Sequence, residues 1–522
     1  MFLQLAVAAL ALLGPYLYAK LRYKRFKQFA IFPQMPPSLL WGHLQKLDVF
    51  IKAGPPNGHP DLAFVAMHEA LGRPPIVFAD MRPFMRPMIV VRSHEVAEQV
   101  AKAYPDKLLP YGMPKMPEIY GHMIHLTGPK SVLNVHGEEW KTLRKRFNTG
   151  FAHQHLITFL PVILEKAAMF IGHVEKFAQT GQDFSFGFHS ANLTFDIICS
   201  VVMNSDFGAQ SLDSPSEFIR VYHDLFETYA EEQMDLPWFF TPLTEWKRIR
   251  LSKRIRNILR GVVRNEFDRR QIETVKSRSV LSLSLQDVNT LTPEVIGEAC
   301  DQLNTFLFAG HDTTSVLLSW LFYELSRTPR ALKAVRDELD DVFGADPSPS
   351  AVREKLLSNG GKDLVSRMTY TNAAIKEALR LWPPAATARV TGTEGSGITI
   401  KTPAGDVYPL DGVYVYNCQI LIQRDPEVFG ETANEFVPER WLGEAGEKIP
   451  PSAFRAFERG PRNCIGQELA TIEARVVVAL LARRYDFVKV GTGELSLDEA
   501  GMPILNANGQ YKVVSEMYSV SP

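Results

Sequence analysis

The sequence predicts a mainly α protein with a small β portion, and three stretches carry that expectation. Thr292-Pro293-Glu294 is a strong helix start, with a capping threonine, proline in the first helical position and an acid beside it. From there the chain runs to about Ser326 with no Pro and only Gly297 and Gly310 as interruptions, long enough to cross a whole domain. A second helix is expected over Thr371 to Leu381, stopped by Pro383-Pro384. After it, Arg389-Val-Thr, Gly397-Ile-Thr-Ile-Lys and Val413-Tyr-Val-Tyr are short, alternating and rich in β-branched or aromatic residues, the pattern of short strands.

Bulk composition narrows the class. A length of 522 residues would by itself suggest about three domains, yet no linker splits the chain after residue 40, and 46% apolar residues can fill a large core. The 57 basic and 58 acidic residues nearly cancel, which argues against a nucleic-acid partner. Cys199, Cys300, Cys418 and Cys464 lie far apart, so they form neither a disulfide framework nor a zinc site and fit a reducing compartment.

The N-terminus differs from the remainder. Phe2 to Ala19 are uncharged and largely apolar, and about 18 to 20 such residues span a bilayer as a helix. Lys20, Arg22, Lys24, Arg25 and Lys27 follow, the reverse of a cleaved signal peptide, whose charge precedes the apolar run. By the positive-inside rule that basic flank stays cytosolic, with the short N-terminus in the lumen. Residues 1–19 are therefore expected as a transmembrane anchor, 20–40 as a basic and Pro-rich linker made stiff by Pro33, Pro36 and Pro37, and 41–522 as the globular domain. The Asn192-Leu-Thr194 sequon would stay bare in this topology.

Further along, Trp140-Lys-Thr-Leu-Arg144 sets an indole N–H and a guanidinium four residues apart on one helical face; an ordinary core aromatic is the plain alternative for Trp140. Lys141, Lys145 and Arg146 on the same helix form either a docking face or a solvated charge run. In the long helix, Ala309-Gly310-His311-Asp312-Thr313-Thr314 opposes its own setting, because glycine and threonine are poor helix formers. A threonine hydroxyl there can bond back to the carbonyl four residues earlier and loosen the helix, opening a groove beside an acid that can relay protons. Glu377 and Arg380 can pair at i,i+3, a weak signal alone, but Ala378, Leu379 and Leu381 suggest burial and a need for further partners.

The strongest local signal is Phe457-Glu-Arg-Gly460-Pro-Arg462-Asn-Cys464-Ile-Gly466. A cysteine at the mouth of a helix sits near the positive end of the dipole, which favours the thiolate. The glycines let the backbone pass close to a large flat ligand, and Arg462 supplies a cation for an acidic group on it. A thiolate so presented suits a haem iron as its axial ligand, whereas a lone cysteine beside a glycine turn is otherwise a buried structural residue.

This loop resembles the haem-binding loop of the cytochrome P-450 family, and the resemblance extends from about residue 40 onward. It implies that fold, one large domain around a buried haem, with Cys464 as the iron ligand and Phe457, Arg462 and Gly466 at the cofactor. Ala309 to Thr314 is similar to the family's oxygen-activation motif, implying that Thr313 hydrogen-bonds the iron-bound oxygen and Asp312 helps deliver protons. Trp140 and Arg144, with Arg389, become candidates for the haem propionates. Phe436-Val-Pro-Glu-Arg440-Trp441 implies that Arg440 completes a Glu377–Arg380–Arg440 network serving folding and haem incorporation, while Phe306 and Ala309 join the stretch Tyr111 to Val135 as candidate substrate-pocket residues. His311 is expected to be structural.

The implied activity is that of a haem-thiolate monooxygenase placing one oxygen atom of O2 into a hydrophobic small molecule. The microsomal layout resembles fungal members acting in secondary metabolism, with lipid or xenobiotic hydroxylation left open. A haem-thiolate isomerase or dehydratase, or a peroxide user, is the alternative, against which Asp312 and Thr313 argue. No flavin or nicotinamide fingerprint follows the Cys464 loop, so electrons are expected from a separate NADPH–cytochrome P-450 reductase, with cytochrome b5 a second candidate donor, at the endoplasmic reticulum membrane.

Overall fold

The computed structural model describes residues 2–55, 58–104, 106, 109–230, 240–272, 277–391 and 395–514, and only the backbone of 2–12, 118–120 and 230. The elements that frame the site are, in chain order, α1 (Phe2–Phe26), β1 (Ile76–Ala79), β2 (Met88–Val91), α2 (His94–Ala101), α3 (Gly137–Asn148), α4 (Phe186–Met203), α5 (Glu217–Ala230), α6 (Pro242–Ile272), α7 (Pro293–Arg327), α8 (Thr369–Leu381), β3 (Thr387–Arg389), β4 (Thr399–Lys401), β5 (Val407–Pro409), β6 (Tyr414–Asn417) and α9 (Gln467–Leu481).

Helix α1 contains Pro15 and continues beyond the apolar run, through the basic cluster to Phe26. Its last turn docks on the globule. Arg25 pairs with Asp80 at 2.8 Å, both side chains nearly inaccessible, and donates to the Leu39 and Arg82 carbonyls at 3.0 and 2.9 Å. Arg82 closes the clamp, pairing with Asp80 at 2.7 Å and donating to the Lys24 carbonyl at 2.7 Å. The carboxylate at the end of β1 is buried, so it holds its countercharges by necessity. Phe32 then enters the core against Phe78, so the segment 20–40 packs on the sheet as well as joining two parts.

The main sheet runs β1-β2-β6-β3; β1 and β3 pair antiparallel with their neighbours, whereas β2 and β6 run parallel. Ile76–Ala79 and Met88–Val91 are buried at every position, so they show no alternation, and such runs give a weak strand signal. The hairpin β4–β5 alternates exposed and buried residues. Most of the remaining ordered elements are helices. Helix α7, 35 residues long, crosses the helical core, and the Thr292 hydroxyl caps it by accepting from the Val295 amide at 3.4 Å. At its centre α7 packs on α4, where a Cβ at Gly310 would lie 2.8 Å from Ile198 Cδ1 and Cγ1. The missing side chain of Gly310 thus sets how near the two helices come, a use beyond weakening the helix. Asn192 lies on α4 and is 2% exposed, so the sequon is also closed by burial.

Candidate active site

Cys464 ends a tight loop immediately before α9. Its amide donates to the Phe457 carbonyl at 2.9 Å, closing the turn. Gly460 holds φ +77° and its absent Cβ would stand 2.2 Å from the Ala101 carbonyl oxygen of α2, so no other residue fits this backbone approach. The Cys464 side chain is reachable from outside, yet protein encloses its base. Burial raises the thiol above its ordinary range, while the Gly466 and Gln467 amides, Lys115 and Arg144 pull it down. The helix mouth therefore does not by itself outweigh burial, contrary to the expectation from position alone. A coordinating metal deprotonates a thiol outright, and that is the partner this sulfur lacks among protein groups.

Cations gather on the same side. Arg144 of α3 donates to the Asn463 carbonyl at 2.7 Å and to Asn463 Oδ1 at 2.9 Å, tying that helix to the Cys464 loop. Arg462 donates to the Val135 carbonyl at 3.0 Å and lies 4.8 Å over the Trp140 ring. Arg389 of β3 faces Lys115 across an isolated bridge, and its guanidinium reaches the Met113 carbonyl at 3.4 Å. Burial holds the Lys115 ammonium well below the usual lysine range; Arg389 and Arg462 add to that, whereas Cys464 and Glu458 oppose it. Burial likewise lowers His136, followed by Arg462, Arg389 and Lys115. The Glu458 carboxylate stands among these positive charges. This donor set fits a ligand carrying two carboxylates and a metal for the sulfur, as a haem does. Lys115 escaped sequence reasoning; a single lysine in Met-Pro-Lys-Met-Pro carries no signal of its own.

On α7 the Thr313 hydroxyl donates to the Ala309 carbonyl at 2.7 Å, and Ala309 and Thr313 remain accessible. Burial raises the Asp312 carboxyl while the neighbouring His311 opposes the shift. His311 turns away from Thr313: its Nδ1 pairs with the Leu307 carbonyl at 2.8 Å, and Phe195, Tyr222 and Phe226 surround its ring at 5.3 to 5.5 Å. The segment 111–135 is stitched to α7, since the Lys130 and Val132 amides donate to Asp301 and Gln302 at 2.9 Å each and Thr305 donates to the Thr127 carbonyl at 3.0 Å. The side chains of 118–120 in that stretch lie outside the described residues. Phe306 does not accompany Ala309. Its ring packs at 5.2 and 5.0 Å from Phe147 and Phe151 and is 4% exposed, because the aromatic cluster under α3 offers it more apolar contact.

Glu377 and Arg380 of α8 are wholly buried and joined by two contacts of 2.8 Å. Arg440 donates to Glu377 at 2.9 Å, and Trp441 and the Val437 amide add bonds of 2.8 and 3.0 Å. Burial would raise Glu377, but these donors together hold it below its ordinary range. On the outer face of α3 all three cations are exposed; Lys141 pairs with Glu138 at 3.5 Å and Arg146 with Glu298, leaving Lys145 without a carboxylate partner among the described residues.

The profile of the cytochrome P-450 family matches residues 33–513 of the chain. The cytochrome P-450 monooxygenase acrF of Aspergillus aculeatus is 30% identical over 83% of this chain and 88% of its own length. A second fungal relative, the cytochrome P-450 monooxygenase polC of Polytolypa hystricis, is 28% identical over 92% and 86%. Cytochrome P-450 4V2 of Mus musculus is 28% identical over 72% of each chain.

Proposed function

Given that the chain belongs to the cytochrome P-450 family and is a monooxygenase with a haem-thiolate iron, we propose how its own residues divide the work. Cys464 would ligate the iron of a bound haem, with Phe457 and Gly466 beside it. Trp140, Arg144, Arg389 and Arg462 would hold its propionates, with Lys115 beside them. When bound, the haem supplies oxygen activation, its thiolate pushing electron density onto iron and favouring O–O cleavage. Asp312 holds a proton more readily than an exposed aspartate, which suits it to hand protons to the groove that the Thr313–Ala309 bond loosens. The Thr313 hydroxyl is committed as donor to Ala309, so its lone pairs are what it offers the groove. Glu377, Arg380 and Arg440 act on folding and cofactor uptake.

The substrate is a hydrophobic small molecule of fungal secondary metabolism, bound by the segment 111–135 and Ala309; the two fungal relatives support that assignment. Electrons come from an NADPH–cytochrome P-450 reductase, or from cytochrome b5, meeting the enzyme near the exposed Lys145. Helix α1 holds the protein in the endoplasmic reticulum membrane with the catalytic domain cytosolic. The observation that carries this reading is the gathering of Lys115 and Arg144 about the Cys464 sulfur, with Arg389 and Arg462 beside Lys115. Cys464→Ser tests it: the reduced carbon monoxide complex should lose its red-shifted thiolate Soret band and oxygenation should cease. A serine variant retaining both would overturn the assignment.

A further inference from the structure

Helix α1 meets the globule without slack. Past its last residue the Lys27 and Gln28 amides donate to the Tyr23 carbonyl at 2.9 Å each, and the Ala30 and Phe32 amides continue as turns on Lys27 and Phe29. The Arg25 guanidinium, buried against Asp80, donates to the carbonyls of Leu39, Leu40 and Arg82. Arg82 reaches back the other way, to the Lys24 carbonyl at 2.7 Å and the Gln28 side-chain oxygen at 2.9 Å. Asp80 is fixed from behind by the buried His43. The Asp80 amide donates to His43 Nδ1 at 2.8 Å and its carbonyl accepts from the His43 amide at 2.9 Å. With Nδ1 accepting, His43 Nε2 donates to the Met35 carbonyl at 2.6 Å. Gly42 holds φ +54°, and a Cβ there would stand 2.5 Å from the Asp80 carbonyl oxygen and 2.7 Å from Arg25 Nη1. The guanidinium therefore has its place because residue 42 has no side chain. Phe29 and Phe32 add ring contacts to Phe78 of β1 at 5.0 and 5.5 Å.

A basic flank that only sets topology works from water, and a flexible tether needs none of its residues buried. Neither use accounts for a guanidinium and a carboxylate taken out of water together. Buried charges are tolerated when each is paired in a fixed geometry, so this contact specifies one arrangement of helix and sheet. We propose that the Arg25–Asp80–Arg82 clamp joins α1 and the four-stranded sheet into one rigid body. The attitude of the catalytic domain over the bilayer is then set through the anchor helix, and so is the side of the domain that faces lipid. This rests on the reading that α1 anchors the chain in a membrane. Rigid coupling has a geometric signature that a tether lacks: each residue added between anchor and clamp turns one against the other by about 100°.

The test uses the full-length holoenzyme in phosphatidylcholine vesicles, held as its ferrous carbon monoxide complex so that the iron is diamagnetic. Spin labels go on Tyr18→Cys of α1 and Val407→Cys of β5, both exposed positions, and dipolar spectroscopy reads the distance between them. A single narrow distance is expected. One and two alanines inserted after Lys20 keep the helix and should move that peak without widening it. Six Gly-Ser residues inserted at the same point have ends about 13 Å apart on average, so the peak should smear over that range. Asp80→Asn should broaden it likewise; the haem spectrum reports whether each variant is folded, and the insertions carry the test if Asp80→Asn is not. A wild-type distribution as broad as that of the Gly-Ser variant overturns the proposal, as does a peak that ignores both alanines. A folded Asp80→Asn variant of wild-type width overturns it also. Each of these results, with the protein still floating with the vesicles, leaves the anchor standing. Protein that does not float with them removes the anchor reading and the proposal together.

Discussion

Replacing Glu377 with glutamine leaves the shape of the side chain and removes its charge, so it isolates what the buried network contributes. Glu377 Oε1 accepts from Arg380, Arg440 and the Val437 amide, while Oε2 accepts from Arg380 and Trp441. Glutamine offers one accepting oxygen, and its amide nitrogen must then face two or three donors whichever way it turns. The buried Arg380 and the partly buried Arg440 also lose their anion. The cost is about 3–5 kcal/mol, a large share of a typical stability of roughly 5–15 kcal/mol. The assay is urea unfolding followed with haem bound per polypeptide. The midpoint should fall with an unchanged denaturant slope, and haem content should drop with it. Wild-type midpoint and loading in Glu377→Gln would refute this reasoning. Because Glu377 is held below its ordinary range, its contribution is intact above about pH 4.3 and disappears as pH falls through the lower folded value.

Gly310→Ala should destabilise by about 1–3 kcal/mol through the clash with Ile198, and Ile198→Ala should be far less harmful in its company than alone; strictly additive effects in that double-mutant cycle would count against the packing role. Asp312 is raised by burial, so its ionised form works against folding: stability falls as pH climbs from the ordinary aspartate range through the folded value. Asp312→Asn should therefore unfold at a higher temperature than wild type near pH 7, with the gap closing towards pH 4, and lose oxygenation; a gap independent of pH would contradict the shift. Gly460→Ala should yield protein with little haem, since its methyl meets the Ala101 backbone at 2.2 Å and a positive φ adds strain; normal loading would show that the loop can move aside.

What could be read in the sequence is what local rules govern. Thr292-Pro293-Glu294 specifies a helix start whatever surrounds it, and the observed cap is the bond those residue types make. The Thr313 back-bond spans one helical turn and needs no tertiary information. Glu377 and Arg380 were visible as a pair, but the Trp441 and Val437 donors come from a segment about sixty residues away, which no periodicity reports. Strands β1 and β2 are four residues each and buried at every position, so they lack the alternation that reveals β4; β5, three residues with the same alternation, is too short to stand out. The same limit hid Lys115, whose importance is created by Arg389 arriving from β3. Arg25 illustrates it again, since a basic residue after an apolar helix reads as a topology signal, whereas its burial against Asp80 is a fact about β1.

The centre of α7 explains why the costs just described are tolerated. Gly310, Asp312 and Thr313 each weaken a helix, glycine by about 1 kcal/mol relative to alanine, and Asp312 adds a buried carboxyl. Those residues sit between Leu303–Leu307 and Thr314–Leu325, runs buried at every position, where each large apolar side chain contributes about 1.5–3 kcal/mol. The flanks outweigh the centre several times over, so the helix survives a local sequence that argues against it. An isolated helix would fray there. Strength placed at both ends and weakness in the middle is what lets an acid and a loosened turn persist beside a ligand site.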